Sequence, residues 1–259
     1  MTDFVVWTED DAAARIRVPA EHDDKYSRGV LGVITGSATY PGAAVLTVDA
    51  AAHTGIGMIR YLGEARDLVL QRRPEVVTAD GRVQAWLLGS GMDKPAADLF
   101  AAALAQDVPV VLDAGAIALH DRAAGPVVIT PHHGELAQLL GVSRDDVAAD
   151  PAGFARRTAD DLGVTVLLKG HSTHIAGPGA SLVVQSAPTW LATAGAGDAL
   201  AGILGALAAT NPTRDLAELA ATAAVLHGLA AFRASGGGPL TILGLAAALP
   251  ATIAHLLAR

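Results

Sequence analysis

Short, unbroken apolar runs that end at Gly, Thr, Asp or Lys recur along much of the chain. Such runs are typical of strands buried on both faces, and the segments between them have apolar positions at helical spacing. Their alternation predicts an α/β fold with a mainly parallel central sheet covered by helices on both faces. The predicted strands comprise residues 29–36, 85–89, 108–113, 127–130 and 164–169. The predicted helices among them comprise residues 41–54, 95–106, 134–140 and 152–162.

The pattern changes after residue 169. Residues 173–176 and 181–185 favour two short strands, and Gly177-Pro-Gly179 between them favours a hairpin, which we expect to form an antiparallel edge of the sheet. Three longer apolar segments then follow, separated by breaks at Asn211-Pro212 and at residues 236–239. These predicted helices comprise residues 197–209, 215–234 and 240–257.

The first 25 residues carry charges and few periodic apolar positions, which predicts an irregular or helical N-terminal arm. After this arm, no long linker, internal repeat or low-complexity stretch interrupts the sequence. We therefore predict a single domain over residues 1–259, with residues 1–25 as the arm.

The composition narrows the classes of function. The chain has 259 residues, a formal net charge of −8 and no cysteine. The lack of cysteine excludes disulfides, thiolate metal sites and a cysteine nucleophile, and the acidic balance offers no basic patch for nucleic acid or an anionic membrane. We find no secretion signal and no uninterrupted apolar run of membrane-spanning length, so we expect a cytoplasmic protein that binds neither nucleic acid nor membrane.

The loops that follow the predicted strands are rich in Gly, Ser, Thr, His and charged residues. In an open α/β sheet, ligands bind beyond the carboxyl ends of the strands, so we expect the functional residues in these loops. The loops comprise residues 35–42, 89–91, 130–135, 169–173 and 193–199.

The Gly195-Ala-Gly197 sequence opens directly onto a long apolar helix and places Asp198 in its first turn. Free backbone N–H groups and the helix dipole would make Gly195, Ala196 and Gly197 an anion hole for phosphate. Asp198 would then accept a proton from a hydroxyl group or hold a metal-bound water. The alternative is a tight glycine turn in which Asp198 only caps the helix.

Two further loops carry weaker signals. Lys169, at the end of a predicted strand, would neutralise phosphate beside the hydroxyls of Ser172 and Thr173, or it is a solvated charge. His132 follows a proline in a turn that would project its imidazole into the crevice at the strand ends. The alternative is a solvated histidine at a helix N-terminus, where Glu135 favours the helix dipole.

Standard nucleotide and metal motifs are missing. The chain has no G-x-x-x-x-G-K-[ST] sequence, and Gly195-Ala-Gly197-Asp-Ala-Leu200 lacks the third glycine of G-x-G-x-x-G. The pairs His132/His133 and His171/His174 do not have the i, i+4 spacing of metal ligands on a helix. Any nucleotide site is therefore of another kind, and a histidine-ligated metal is not favoured.

Five sequence elements together resemble a known family, the NAD(P)H-hydrate dehydratases of the ribokinase-like superfamily. The resemblance extends from about residue 25 to the end of the chain. The elements are Pro41-Gly-Ala-Ala44, Leu112-Asp-Ala-Gly-Ala116, Ile129-Thr-Pro-His-His-Gly-Glu135, Leu168-Lys-Gly-His171 and Ala194-Gly-Ala-Gly-Asp198.

This resemblance implies a ribokinase-like three-layer αβα sandwich and a metabolite-repair activity. Such an enzyme restores NADH or NADPH whose nicotinamide ring has been hydrated, by phosphorylation of the ring hydroxyl followed by elimination. The expected co-substrate is ADP, with ATP as the alternative, and Mg²⁺ would bridge the phosphates through protein ligands that the sequence does not identify. The resemblance further implies a homo-oligomer, such as a tetramer. We expect a separate NAD(P)H-hydrate epimerase, because this chain lacks room for that domain.

The functional positions of the family map onto residues of this chain. The resemblance implies that Asp198 acts as the base on the ring hydroxyl and contacts the hydrated dinucleotide. It implies a nucleotide-binding set of Lys169, Gly170, His171, Ser172, Thr173 and Gly197. It implies that Ala43, Gly91 and His132 also contact the hydrated dinucleotide.

Three positions depart from the family pattern. Ala196 stands where threonine is usual, His133 stands where proline is usual, and Lys25-Tyr-Ser-Arg-Gly29 matches the family's Lys-Gly-x-x-Gly pattern only in part. Two alternative functions stay open. The glycine–aspartate helix start is shared with ribokinase-like kinases of small molecules such as a vitamin precursor or a sugar, and the missing threonine hydroxyl at position 196 suits a non-catalytic nucleotide-binding homologue.

Overall fold

A nine-stranded sheet lies at the centre of the described part of the chain. The computed structural model describes residues 4–92 and 97–259. The strands are β1 (Val5–Val6), β2 (Val30–Ile34), β3 (Met58–Tyr61), β4 (Ala85–Leu88), β5 (Val110–Leu112), β6 (Val127–Ile129), β7 (Thr165–Leu168), β8 (Thr173–Gly177) and β9 (Ala180–Val184). Their order in the sheet is β1-β9-β8-β7-β6-β5-β4-β2-β3.

Most of the sheet is parallel, as predicted. Strands β2 to β7 are parallel to their neighbours within this group, whereas β8 is antiparallel to both β7 and β9. In the centre, Ile34 pairs with Leu88 and Leu88 pairs with Leu112, so β2, β4 and β5 end at the same level. The loops that follow these strands therefore meet at one edge of the sheet.

Helices cover both faces of the sheet. They are α1 (Glu9–Ala13), α2 (Pro41–His53), α3 (Arg66–Arg72), α4 (Ala97–Leu104), α5 (His133–Leu140), α6 (Arg144–Ala149), α7 (Pro151–Leu162), α8 (Ala196–Thr210), α9 (Leu216–Ser235) and α10 (Ile242–Leu257). Leu31 and Val33 of β2 belong to a buried cluster with α2, α8, α9 and α10. Val30 and Ile34 belong to a second cluster with α4 to α7 on the other face. The predicted three-layer αβα sandwich is thus confirmed.

Small side chains allow α8 to pack closely against α2. A β-carbon built on Gly202 of α8 would lie 2.3 Å from the carbonyl oxygen of Thr47 in α2, so only glycine fits there. Nearly all of α8 after its first turn is buried. This packing holds the first turn of α8 at the carboxyl ends of the central strands.

Helix α9 has the length and hydropathy of a membrane span, with 20 residues and a mean hydropathy of 1.2. In this fold, however, 78% of the apolar window is buried. The helix packs against α8 and α10 on one face of the sheet. Burial inside the fold accounts for its apolar composition.

The N-terminal segment corrects one prediction about the sheet edge. The hairpin of β8 and β9 forms as predicted, but β1 pairs in parallel with β9, with Val5 opposite Leu182. The hairpin is therefore not the outermost part of the sheet. The segment predicted as an irregular or helical arm supplies both this edge strand and α1. Pairing with β1 covers backbone groups of β9 that would otherwise be exposed.

Strand β3 and helices α3 and α6 were not predicted from the sequence. Strand β3 has four residues, and Arg60 within it interrupts the apolar pattern that identifies a buried strand. For the predicted helix 95–106, residues 95 and 96 lie outside the described residues, and α4 represents its described part.

Candidate active site

The loops after β4 to β7 meet at the buried carboxylate of Asp113. It accepts hydrogen bonds from the Oγ of Ser90 at 2.7 Å, from the Oγ1 of Thr130 at 2.7 Å and from the Nζ of Lys169 at 2.9 Å. Each of these residues follows a different strand, directly or within two positions. Adjacent parallel strands therefore bring together side chains that lie far apart in the sequence.

Asp113 and Lys169 form a buried ion pair. Burial by itself raises the pKa of Asp113, but the Lys169 ammonium and the hydrogen bonds from Thr130 and Ser90 hold that pKa below its usual value. Burial lowers the pKa of Lys169, but the charges of Asp113 and Glu135 outweigh this effect and raise it. The Oε2 of Glu135 lies 3.6 Å from the Lys169 Nζ. Both members of the pair are therefore charged at neutral pH.

Asp198 lies in the first turn of α8, close to this ion pair. Burial, and then the negative charge of Asp113, raises the pKa of Asp198 from 3.8 to about 6. The Lys169 charge and the nearby Ser90 hydroxyl act in the opposite direction. A carboxyl group with this pKa gains and loses a proton near neutral pH, which is the property of a general base.

The N-terminus of α8 has the features expected of an anion hole. Gly195 adopts the left-handed conformation with φ of 88° at the N-cap position, and no side chain caps the helix within the described residues. Asp198 therefore does not act as the cap. A β-carbon built on Gly197 would lie 3.4 Å from the Lys169 Nζ, so the ammonium group is close to the start of the helix. Positive charge and helix-start N–H groups thus converge at one place.

His132 has a structural role and also faces a cavity. Its Nδ1 accepts hydrogen bonds from the backbone N–H groups of Gly134 and Glu135 at 2.9 and 3.0 Å, so the side chain caps α5. The Lys169 backbone N–H donates to the carbonyl oxygen of Pro131 at 2.8 Å, which holds this turn beside the end of β7. The His132 side chain remains 59% exposed and lines the neighbouring cavity.

A cavity of about 810 Å³ lies beside the start of α8. Its volume is in the range of small-molecule and cofactor sites. Ser172, unlike its neighbours in the predicted nucleotide-binding set, is not among the lining residues. Predicted site residues in the lining are His132, Lys169, Gly170, His171, Thr173, Ala196 and Gly197.

Ala43 and Gly91 lie together in a second group that does not line this cavity. Gly91 has a φ of 68°, and a β-carbon built on it would lie 2.2 Å from the Cβ of Ala43. The Gly36 N–H donates to the carbonyl oxygen of Ser90 at 2.7 Å, which connects this group to the Asp113 cluster. The predicted substrate residues are thus divided between two places, with His132 at the cavity and Ala43 and Gly91 in the second group.

Several residues of the site had no role predicted from the sequence. Ser90, Asp113 and Thr130 each follow an apolar strand, and a systematic search for polar residues at strand ends would have found them. His227 and Arg144 also line the cavity. No local motif marks either residue, because α9 and α6 reach the cavity only through tertiary packing.

The charged residues fit a magnesium ion that is held mainly by phosphates and water. Within residues 4–92 and 97–259, no group of three or more His, Cys, Asp or Glu side chains is arranged to hold a metal. The Asp113 carboxylate is already occupied by three donors. Magnesium usually keeps several waters and uses one or two carboxylates together with substrate phosphates, and Asp198 is suitably placed for that limited role.

The parallel sheet between two helical layers and the aspartate at a glycine-rich helix start define a ribokinase-like αβα protein. A family model described as NAD(P)H-hydrate dehydratase matches residues 31–241. The chain therefore belongs to the NAD(P)H-hydrate dehydratase family, which confirms the resemblance identified from the sequence.

Relatives agree with this assignment. A bifunctional NAD(P)H-hydrate repair enzyme of Mycobacterium tuberculosis is 46% identical over 225 residues, which cover 81% of this chain and 47% of the relative. An ADP-dependent (S)-NAD(P)H-hydrate dehydratase of Neisseria meningitidis is 36% identical, with coverage of 82% of this chain and 79% of the relative. The chain spans about half the length of the bifunctional relatives that it matches.

Solved structures show the same fold. The ADP/ATP-dependent NAD(P)H-hydrate dehydratase of Bacillus subtilis, co-crystallized with ATP and Mg²⁺, has a TM-score of 0.90 and 26% identity, with coverage of 99% of this chain and 100% of that one. A ribokinase-like superfamily protein of Enterococcus faecalis has a TM-score of 0.88 at 22% identity, with coverage of 100% and 98%. The latter similarity concerns the fold alone.

Proposed function

We propose that this chain is a nucleotide-dependent dehydratase that restores NADH and NADPH from their hydrated forms, with ADP as the favoured co-substrate. The observation that carries the proposal is the position of Asp198, which lies beside Lys169 at an uncapped helix start next to a large cavity. Family membership supports the reaction, and the name of the Neisseria meningitidis relative supports ADP.

The chemistry requires a base and a site for phosphate. Hydroxide is a poor leaving group, so the ring hydroxyl is first phosphorylated. The hydroxyl oxygen attacks the terminal phosphorus of the nucleotide, its proton passes to Asp198, and the nucleotide leaves one phosphate shorter. The ring C–O bond then breaks with assistance from the ring nitrogen, phosphate leaves, and loss of a proton from the neighbouring carbon restores the double bond.

Each part of the site has a proposed place in this reaction. Lys169 and the N–H groups at Gly195, Ala196 and Gly197 hold the transferring phosphate, because positioning and charge stabilisation supply most of the catalysis in phosphoryl transfer. The nucleotide occupies the 810 Å³ cavity. Magnesium would add positive charge between the phosphates when bound. The hydrated ring lies against Asp198, on the side of Ala43 and Gly91.

Wider properties of the protein are also proposals. We propose a cytoplasmic homo-oligomer, such as a tetramer, that works with an NAD(P)H-hydrate epimerase. The lack of cysteine is compatible with a reducing compartment. The names of the bifunctional relatives support a link with a second repair activity.

The test is recovery of dihydronicotinamide absorbance from hydrated NADH in the presence of magnesium. Parallel reactions contain ADP, ATP or no nucleotide, and chromatography identifies the phosphorus-containing products. We expect recovery that depends on nucleotide, with phosphate released in equal amount and ADP giving the higher kcat/KM. A stable phosphorylated dinucleotide would instead indicate a kinase, and nucleotide binding without any turnover would indicate a non-catalytic homologue.

A further inference from the structure

Arg144 is a positively charged residue of the cavity wall that the proposed reaction does not use. It is the first residue of α6, it is exposed, and it lines the 810 Å³ cavity. Within the part of the chain that the structure describes, its guanidinium forms no ion pair and no hydrogen bond. Arg157 of α7, by contrast, pairs with Asp150 at 3.2 Å. The charge of Arg144 is therefore available to a ligand.

The charge balance of the cavity favours an anionic ligand. Among the described residues, no Asp or Glu belongs to the lining. Lys169 is the other permanently charged cation there, but its Nζ lies 2.9 Å from the Oδ1 of Asp113 and 3.6 Å from the Oε2 of Glu135. Two carboxylates thus offset the Lys169 charge, whereas the Arg144 charge remains uncompensated in the described lining. Such a cation attracts phosphate groups.

Arg144 lies beside the turn that follows β7. Burial, and then the positive charge of Arg144, lowers the pKa of His133, so the guanidinium is close to that imidazole ring. The His133 Nε2 in turn lies 3.4 Å from a β-carbon built on Gly170. Gly170 directly follows Lys169 in the sequence, and both line the cavity. Arg144 therefore belongs to the same wall of the cavity as the Lys169–Gly170 turn.

A nucleoside diphosphate has one phosphate more than the donors at the start of α8 serve. In the proposed reaction, Lys169 and the helix-start N–H groups hold the terminal phosphate, which is the one transferred. The phosphate attached to the ribose stays on the nucleotide and needs a separate partner. A guanidinium group suits it, because its planar set of N–H donors matches two phosphate oxygens at once.

We propose that Arg144 binds the ribose-linked phosphate of the nucleotide and thereby positions the terminal phosphate for transfer to the ring hydroxyl. This inference rests on the proposed function, which places the nucleotide in the cavity. When the bond between the bridging oxygen and the terminal phosphorus breaks, the bridging oxygen keeps the electron pair. The ribose-linked phosphate then gains negative charge, which the guanidinium stabilises.

The experiment measures dissociation constants by calorimetry for AMP, ADP and adenosine. The proteins are wild type, Arg144→Gln and Arg144→Lys, with Arg66→Gln as the control. Arg66 is also the exposed first residue of a short helix, α3, but it does not line the cavity. We expect Arg144→Gln to weaken AMP and ADP about tenfold and to leave adenosine unchanged. Unchanged adenosine binding also shows that the variant is folded.

Additional readouts separate a phosphate contact from a structural effect. The difference in AMP affinity between wild type and Arg144→Gln should shrink as salt is added, because salt screens exposed charges. Arg144→Lys, which keeps the charge but loses the planar set of donors, should recover part of the affinity. In turnover assays, Arg144→Gln should lower kcat/KM for ADP and leave the KM for hydrated NADH and hydrated NADPH unchanged.

Four results would overturn the inference. Unchanged AMP binding in Arg144→Gln would remove the contact, and an equal loss in Arg66→Gln would make it a general effect of surface charge. A loss for ADP without a loss for AMP would place Arg144 at the terminal phosphate. A raised KM confined to hydrated NADPH would place it at the 2′-phosphate of the dinucleotide.

The binding measurements need no hydrated dinucleotide, so they separate this inference from the proposed function. Binding of AMP that depends on Arg144, without recovery of hydrated NADH, would reject the proposed function and retain the phosphate contact. Normal turnover together with unchanged AMP binding in Arg144→Gln would reject only the role of Arg144.

Discussion

Two buried aspartates in this protein, Asp113 and Asp49, both form ion pairs, but only Asp113 does so at the candidate active site. Asp113 is 4% exposed and pairs with one lysine and two hydroxyl groups beside the cavity. Asp49, in α2, is fully buried and pairs with Arg72 and Arg73 at the C-terminal end of α3, at 3.0 and 2.7 Å. Both are carboxylates compensated by positive charge, as buried charges require.

The difference between them concerns what lies next to the ion pair. Lys169, which pairs with Asp113, is also close to the start of α8, and the Asp113 charge raises the pKa of Asp198. The arginines of Asp49 connect two helices, and His53 nearby hydrogen-bonds the Asp49 backbone. A buried ion pair by itself therefore indicates no function, but one that borders a cavity and perturbs a second carboxyl does.

The largest expected effect is the loss of activity in Asp198→Asn. The amide cannot accept the hydroxyl proton, so we expect kcat to fall about 10³-fold. Kinetics with hydrated NADH and ADP measure this loss. Asp67→Asn is the control, because Asp67 is also in the first turn of a helix but is exposed and does not line the cavity. Full activity of Asp198→Asn would disprove its assignment as the base.

A matched pair, Asp113→Asn and Asp49→Asn, tests the comparison directly. Removal of one partner from a buried ion pair should lower the free energy of unfolding, by about 3 kcal/mol for Asp113 and about 2 kcal/mol for Asp49, whose arginines can reach solvent. Urea unfolding measures both losses.

The same pair should differ in the pH dependence of activity. Activity requires ionised Asp198, so kcat/KM of the wild type should fall below about pH 6. Because the Asp113 charge contributes to the raised pKa of Asp198, Asp113→Asn should move the low-pH fall of kcat/KM to lower pH. Asp49→Asn should leave it in place. Equal shifts in both variants would contradict the distinction between the two aspartates.

The smallest expected effect is a gain of stability in Asp198→Asn. The raised pKa means that folded Asp198 binds its proton more tightly than the unfolded chain does, so ionisation destabilises the fold as pH rises from 3.8 through about 6. The variant lacks this cost, because asparagine carries no charge to desolvate, and it should be more stable than wild type at about pH 8. The gain should vanish near pH 3, where both forms are neutral. Lower stability of the variant at high pH would show that ionisation of Asp198 does not destabilise the fold.

Local patterns predicted much of the architecture. A buried parallel strand needs apolar residues on both faces, so strands such as Ala85–Leu88 and Thr165–Leu168 are recognisable without knowledge of their neighbours. Strand β3 was not predicted because Arg60 interrupts its apolar pattern. Strand β1 was not predicted because two residues are too few to show a periodic pattern. The position of β1 depends on pairing with β9, which lies far along the chain.

For the candidate site too, local sequence features identified some residues, whereas the roles of others depended on the tertiary structure. Glycines before a helix and polar residues after apolar strands are local features, and they are sufficient to identify Gly197, Asp198 and Lys169 as candidates. Local features could not choose between a helix cap and a base for Asp198. That choice depends on burial and on Asp113, which belongs to a different loop.

The sequence by itself determined the fold class, the family and the residues at the glycine-rich helix start, because each depends on short segments. Only the tertiary structure decided that Asp113 holds Lys169, 56 residues away, and that the pKa of Asp198 is raised. It also brought His227 of α9 into the cavity wall. The physical reason is that charge interactions and desolvation depend on distances through space, which parallel strands and packed helices set between residues remote in the chain.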